Sequence, residues 1–567
     1  MSKPFRIVLL LAILGVSALA LAGCERVLPT HDVQAETNLK ACGGGECHDK
    51  QVELQATSQH KGLGCDSCHP ESGDAHRRDP KSAIAGTDWR IDTCRPCHVD
   101  EVTTYLYDDN AKAGPFGGSI TNPPQPKRDV FPGYDTIVAG HAFAKDYNEE
   151  GAHSIMLQEH MKTTRGKYEV CVQCKSTKVA LAWNSGKSVR VSADTTVTLT
   201  HTKTDTTPAK QVLIPKGTAI TYATDKTTRQ VDARMKLPDG TTYSSRPAAS
   251  EDATKNYNML WAGTIAAIAD TMPYGAGCNH CHDPHGTGLR YVRQAMLESV
   301  AEKGTNPYEK DSPKELKAAS AKDARTLTCS QCHVEYTCGK SGVDGIDRDA
   351  FGWSKAYDLH ERYTQQFQYK QDWKHKLIGQ PLIKNQHPET ELYWESTHYN
   401  AGASCGDCHM PEITGSNGQR FRSHWFTSPF KLDDPKLVSQ FETATGVRVD
   451  AADNPCRRCH ADRTARAEDQ QRAFFARQQT VQALLVTSVG ELARVKAASD
   501  AGAKIDQAKY QTALTAHRKA HVLWENLAVS ENSMGFHNIE ECMSSMDAAE
   551  KDARIAIDTA RSLVATP

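Results

Sequence analysis

The pattern of apolar and polar positions changes character along the chain. Ile7 to Ala22 is almost continuously apolar and follows Lys3 and Arg6. Such a stretch is too short for a comfortable helical span, and a basic head on an apolar body is the layout of an export signal. Between 186 and 246 the period falls to two. Val189-Arg190-Val191 and Val197-Thr198-Leu199-Thr200 alternate, and Pro238-Asp239-Gly240 supplies a turn. This segment reads as a small β insertion. Beyond Cys456 no proline occurs before Pro567, and Phe474, Val481, Leu485, Val489 and Leu492 recur at helical spacing. Long amphipathic helices are predicted there, their apolar stripe packing either on its own domain or against another subunit.

With 567 residues the chain exceeds one compact core. Its 67 Lys and Arg balance 69 Asp and Glu, a net charge of −2, which speaks against nucleic acid as a partner. A mean hydropathy of −0.57 excludes a bundle of membrane spans in the mature chain. The outliers are 19 Cys and 24 His, too many thiols for a protein without a metal or redox role. The apolar segment ends in Leu21-Ala22-Gly23-Cys24, similar to a bacterial lipobox with Cys24 as the lipidated first mature residue. An ordinary signal cut nearby, leaving Cys24 incidental, is the alternative. Either way the expectation is export to the periplasm, in the first case with a lipid anchor in the membrane.

Sixteen of the cysteines fall into pairs. Cys65/Cys68, Cys94/Cys97, Cys278/Cys281, Cys329/Cys332, Cys405/Cys408 and Cys456/Cys459 each form Cys-x-x-Cys-His, ending in His69, His98, His282, His333, His409 and His460. Cys42 and Cys47 have four residues between them and are followed by His48. Cys171 and Cys174 are followed by Lys175. Cys-x-x-Cys-His is the attachment signal of c-type haem: two thiols add to the vinyl groups and the adjacent His ligates the iron. Zinc ribbons and disulfides use cysteine pairs without requiring that His. Eight covalently bound haems are therefore expected, the Cys42/Cys47 site being a rarer spacing.

Each electron-carrying haem wants a second axial ligand, most simply another His. His60 and His76 flank the Cys65 motif, and His285 follows His282 by three residues. Isolated histidines such as His31, His201 and His517 read as surface residues. A chain this rich in haem builds its interior around porphyrins. The expected fold is a mainly α multihaem cytochrome c with a haem-packed core, long C-terminal helices and the small β insertion. Lys175 is the departure, an amine where the other motifs carry His. Seven carriers and one differently ligated haem with an open position for substrate is the pattern of a wired active site.

Several segments together resemble the ammonia-forming cytochrome c nitrite reductases, from about Gly140 to the C-terminus. They are Gly140-His-Ala-Phe-Ala-Lys-Asp-Tyr-Asn148, Cys171-Val-Gln-Cys-Lys175, Cys329-Ser-Gln-Cys-His-Val-Glu-Tyr336, Lys384-Asn-Gln-His-Pro-Glu389 and Cys405-Gly-Asp-Cys-His-Met-Pro411. The pentahaem members lack the motifs from Cys42 to His98, so the chain is most similar to the octahaem nitrite reductases. The resemblance implies a catalytic set of Arg165, Tyr336 and His387 around the Lys175-ligated haem, with nitrite as substrate. It implies a calcium ion held by Glu335 and Gln386 side chains and by the Tyr336 and Lys384 carbonyls. It also implies a thioether between Cys338 and Tyr336, against the plainer reading of Cys338 as a buried thiol. His153, His398, His424 and His537 match distal ligands of the pentahaem enzymes, leaving His60, His76 and one of His141 or His285 for the extra haems. A quinol-linked or cytochrome electron donor and a homo-oligomer complete what the resemblance implies.

The expected organisation is an export signal at 1–23, a three-haem domain at 24–125 and a five-haem catalytic domain at 126–460 carrying the insertion. A helical region follows at 461–567. The rival readings are an electron conduit without catalysis, a hydroxylamine-oxidising octahaem enzyme, and an octahaem tetrathionate reductase. Lys175 speaks against the second, and the Val-Glu-Tyr and Gln-His-Pro-Glu segments favour nitrite over the third.

Overall fold

The computed structural model describes residues 49–64, 67–68, 91–107, 130–141, 152–157, 174–185, 188–191, 193–199, 210–224, 231–240, 242–244, 275–286, 288–336, 358–366, 368–369, 371–461, 464–530 and 533–564. Contacts divide the chain into two units: Met1–Val99 with His282–Gly288, and Asp100–Cys281 with Leu289–Pro567. In the first unit, α1 (Asp49–Ala56) ends in a turn held by side chains. Gln55 Nε2 donates to the carbonyl of Leu63 at 2.8 Å, and the Ser58 hydroxyl accepts the amide of His60 at 3.0 Å. These bonds satisfy the helix end and present His60 at a fixed point of the loop.

In the second unit, α2 (Thr177–Ser185) leads into the β insertion. Its strands are β1 (Ser188–Arg190), β2 (Thr195–Leu199), β3 (Lys210–Ile214), β4 (Ala219–Thr224), β5 (Val231–Lys236) and β6 (Thr242–Ser244). Strands β1-β4-β5-β6 make an antiparallel sheet, and β2 pairs with β3. Alternation decides the inner face: Val197 lies opposite Val212, and Met235 opposite both Ile220 and Tyr243, all buried. Helices α3 (Gln294–Lys303) and α4 (Ala321–Ser330) follow, the second capped by Ser320, whose side chain accepts the amide of Asp323.

The C-terminal region is three helices: α5 (Thr464–Asp500), α6 (Gln507–Glu525) and α7 (Ile539–Leu563). At 37 residues α5 is about 55 Å long. Asp506 caps α6 and Asn538 caps α7, each through a side-chain oxygen. The stripe read from the sequence is buried within the subunit. Phe474, Val481 and Leu485 pack with Phe131, Tyr134, Trp524 and Met546, and Val489 and Leu492 pack with Ile378 and Tyr510. The segment before the α5 contact needs glycine, since a Cβ on Gly133 would stand 2.5 Å from Val486 Cγ2. The Gly133 amide instead donates to Gln482 Oε1 at 2.8 Å.

One expectation is corrected here. His517 is buried, not a surface residue: on α6 it shares a face with His521 and Glu525, one turn apart each, and all three are fully buried. Its Nδ1 meets the Ser488 hydroxyl at 3.0 Å. Burial first, then the charge of His375, pushes the His517 pKa down to about 3. An imidazole that stays neutral when folded but protonates when unfolded contributes its full stability above about pH 6.5, and loses it as pH falls toward the folded value. From pH 6.5 to 5 this costs about 2 kcal/mol for such a histidine. Thermal unfolding followed by circular dichroism should show the midpoint dropping by several degrees between pH 7 and 5. His517→Asn should flatten that slope, and an unchanged slope would contradict this account.

Candidate active site

A helical turn explains the pentapeptide. The His98 amide donates to the Cys94 carbonyl at 3.0 Å, His333 to Cys329 at 3.0 Å and His460 to Cys456 at 2.9 Å. This bond puts two thiols and an imidazole on one turn, the arrangement that a covalently held haem requires. The described cysteines are thiols, not disulfides. Motifs distant in sequence meet through them: Cys174 bonds Cys332, and Cys329 bonds Cys405, each contact keeping a thiol protonated. Cys408 feels the charge of Cys456, and burial raises its pKa to about 12.

Among the described second cysteines of the motifs, two differ from the rest in exposure. Cys97 and Cys459 are exposed, and Cys68 is half-buried. The reason is local. Cys97 and Cys459 close turns that follow short 3₁₀ pieces, Ile91–Thr93 and Pro455–Arg458, with no long helix above them. Arg95, Arg457 and Arg458 stand between the paired cysteines, and their charged ends keep these turns at the water boundary. Burial pushes the Cys281, Cys408 and Cys456 thiols above the usual range, and the Cys174 contact followed by burial does so for Cys332.

The imidazoles are paired across the fold. Ring centroids of His153 and His333 lie 6.0 Å apart, His409 and His537 6.2 Å, and His398 and His460 6.3 Å. In the first unit His60 and His98 lie 6.1 Å apart. Two imidazoles on opposite sides of one metal, each bonded at about 2 Å, have centroids about 6 Å apart. The Nδ1 of His60 meets the Pro284 carbonyl at 2.8 Å, that of His409 the Thr427 carbonyl at 3.1 Å and that of His424 the Arg422 carbonyl at 3.0 Å. A carbonyl only accepts, so Nδ1 carries the proton and Nε2 keeps a lone pair free for a metal. These residues therefore fit haem ligation. Elsewhere His285 Nδ1 lies 3.3 Å from Asp283, while His141 packs edge-on against Trp373 at 4.5 Å. His282 is held neutral by burial and the nearby charge of His98.

Around Lys175 the chain converges from four places. Thr177, two residues on, accepts the Gly277 amide at 2.7 Å and bonds His280 Nδ1 at 3.1 Å, tying this turn to the Cys278–Cys281 turn. Fully buried Arg293, at the start of α3, donates to Cys174 Sγ at 2.5 Å, and its guanidinium lies 5.6 Å from the Tyr336 ring. The sequence did not single out this arginine. Glu389 links two imidazoles, 3.7 Å from His333 Nδ1 and 4.0 Å from His387 Nδ1. Burial acts to raise the Glu389 pKa, but the His333 hydrogen bond and the two imidazoles hold it below the usual range. Burial pushes the His387 pKa down to about 4; Glu389 opposes this, and His333, Lys175 and Lys384 reinforce it. The resting ring is neutral.

Behind His387 lies an acidic pocket. Glu335, fully buried, accepts the Tyr363 hydroxyl at 2.5 Å and the Gln386 amide at 2.5 Å. Its own amide donates to Glu391 Oε1 at 3.1 Å. Burial raises the Glu335 pKa to about 8 despite those donors and Lys384. Glu391 is pushed up by burial and by Glu335, and its buried Oε2 has no hydrogen-bond partner. Lys384 Nζ pairs with Glu525 Oε1 at 3.0 Å. Two adjacent buried carboxylates with an orphaned oxygen fit a hard divalent cation such as calcium. Tyr363 and Glu391 were not legible as site residues, because they lie 28 and 56 residues from Glu335 with no motif to mark them.

Arg165, Cys338, Cys171, Cys24, Cys42, Cys47, His48, Cys65, His69 and His76 lie outside the described residues.

Comparison with known proteins follows from this geometry. The family model of cytochrome c552 matches residues 240–567. The cytochrome c nitrite reductase subunit NrfA of Nitratidesulfovibrio vulgaris is 28% identical over 335 residues, 55% of this chain and 58% of that protein. Cytochrome c-552 of Bacteroides thetaiotaomicron is 30% identical over 292 residues, 50% of each. The chain thus spans about half the length of the curated relatives it matches. Among solved structures, the catalytic subunit NrfA of the Desulfovibrio desulfuricans cytochrome c nitrite reductase, described with two calcium sites, superposes with a TM-score of 0.59. It is 20% identical and the match covers 85% of this chain and 88% of that one, a likeness of fold.

Replacing His398 by Ala should leave the haem at Cys456/Cys459 with one protein ligand. Haem content should be unchanged, and a new high-spin signal should appear in electron paramagnetic resonance. Absence of that signal would dissolve the His398–His460 pairing.

Proposed function

This chain belongs to the cytochrome c552 family, and on that premise we propose that it is a periplasmic, ammonia-forming nitrite reductase working at the Lys175 site. The observation that carries the reading is the gathering of Lys175, His387, Tyr336 and buried Arg293 around one turn in which Lys replaces His. Eight c-type haems, those at the exposed Cys97 and Cys459 included, would supply and store the electrons. Six electrons and eight protons turn one nitrite into one ammonium and two waters. The thiol contacts Cys174–Cys332 and Cys329–Cys405, with Cys408 near Cys456, support a continuous path to the site.

The remaining steps belong to side chains. Lys175 would hold the catalytic haem through its neutral amine. Arg165 supplies a permanent cation and a donor fork for the anion. The neutral His387 takes up a proton when the anion arrives, since a nearby negative charge favours the imidazolium, and passes it on from its ring nitrogen. Tyr336 donates a hydrogen bond through its hydroxyl, its acidity altered by a thioether to Cys338. A calcium ion at Glu335, Gln386 and the Tyr336 and Lys384 carbonyls, with Glu391 alongside, would brace the Tyr336 and His387 segments. His60, His153, His398 and His537 would be second ligands to their haems, a reading the ring pairs support, with His76, His424 and one of His141 or His285 serving the other carriers. Export with a lipid anchor at Cys24, a quinol-linked or cytochrome donor and a homo-oligomer complete the reading.

Purified holoprotein with reduced viologen should convert nitrite to ammonium in equal amounts. Electron uptake without nitrite consumption would make the chain a conduit instead. Lys175→Leu should lower nitrite turnover by at least roughly the 100-fold that weakened metal-ligand support costs, with the other seven haems still attached.

A further inference from the structure

The segment carrying Gln386 and His387 is held in an uncommon way. Three successive backbone amides each donate to a different carboxylate, two of them fully buried, and the three acids come from different parts of the chain. Lys384 N donates to Asp372 Oδ2 at 2.7 Å, Asn385 N to Glu525 Oε2 at 2.9 Å and Gln386 N to Glu335 Oε2 at 2.5 Å. Glu335 belongs to the site already described. Asp372 is itself fixed by the Tyr369 hydroxyl at 2.6 Å. Glu525 lies 140 residues from Asn385, at the end of α6.

Glu525 makes two contacts to this segment at once. Its second oxygen is 3.0 Å from Lys384 Nζ, and both side chains are almost fully buried. The helix adds a third contact, because Asn385 Nδ2 donates to the Val522 carbonyl at 2.8 Å. Directly after Glu525 the helix widens into a π turn, Asn526–Ser530. Such turns re-aim groups that a regular helix would hold along its axis. The peptide planes of 384–386 are thereby set from outside the haem motifs, and with them the Lys384 carbonyl, the Gln386 side chain and the entry into His387.

We infer that Glu525 is a positioning residue for the 384–387 segment, so that the C-terminal helical bundle acts on the active site by orienting its cation ligands and His387. This rests on the proposed reading of that segment as part of a nitrite-reducing site. A partner one step removed from a metal typically alters affinity or activity 10–100-fold when lost.

The test uses full-length holoprotein, stripped of calcium and titrated with calcium alone by calorimetry, alongside steady-state nitrite kinetics. E525A should raise the calcium Kd about tenfold or more and lower kcat by about 10–100-fold. The nitrite KM should change less than about threefold, with haem content and haem spectra as in the wild type. If E525A does not fold, E525Q carries the same test in the same direction: it keeps an acceptor for Asn385 N but leaves Lys384 without its charge partner. A wild type that binds no calcium, or a variant with wild-type calcium affinity and kcat whose only change is a lower melting temperature, overturns the inference. Loss of calcium affinity in E525A together with no nitrite turnover in the wild type upholds the positioning and overturns the proposed activity.

Discussion

One helical turn can carry two thiols and a metal-binding side chain on the same side of the backbone, and larger features of this chain are arranged around that short-range fact. The amide of the residue after the second cysteine reaches back to the first cysteine's carbonyl at Cys94, Cys329 and Cys456, so in the folded chain the pentapeptide is one hydrogen-bonded turn. Covalent capture of haem on such units gives a protein with modest aromatic content a dense interior. It also explains why the thiols of separate motifs lie beside one another, as Cys174 does beside Cys332 and Cys329 beside Cys405. Porphyrins anchored on adjoining turns are neighbours by construction.

The second constraint is charge. The irregular run from Lys384 to His387 passes through a region where Glu335, Glu391 and Glu525 are withdrawn from water, with the more exposed Asp372 at its edge. Buried acids are costly unless paired, and each finds a different solution. Glu525 takes the Lys384 ammonium, Asp372 takes a tyrosine and an amide, and Glu389 is shared by two imidazoles. Glu335 takes the Tyr363 hydroxyl and the Gln386 amide, while Glu391 accepts the Glu335 amide and keeps one oxygen without a partner. The same carboxylates accept the backbone amides of the run, so electrostatic compensation and positioning of His387 are one structural device.

The C-terminal helices show how a bland feature acquires a role. As a stripe of apolar residues they could serve either the subunit itself or a partner. Their apolar face is filled by Phe131, Tyr134, Ile378 and one another. On the inner face of α6 the residues that should be apolar are His517, His521 and Glu525. A surface reading of His517 fails because helical spacing, not residue type, decides which side is buried. The reverse holds at Cys97 and Cys459, where a residue type that is usually buried sits exposed on a turn flanked by arginines.

The sequence by itself determined the haem-attachment motifs as patterns, the odd lysine, the β insertion and the C-terminal helices, because each is written in spacing over a few residues. Cys-x-x-Cys-His works within one turn, alternation within one strand, and a 3.6-residue stripe within one helix. The ring pairs His398–His460 and His409–His537, the placing of Arg293 beside Cys174, and the Tyr363 and Glu391 contacts to Glu335 were decided only by tertiary structure. Those partners come from distant segments, and no local pattern records which distant side chain will meet a given imidazole or carboxylate. Glu525 is the clearest instance: in sequence it is an acid near the end of a helix, and only packing puts its two oxygens on Lys384 and Asn385.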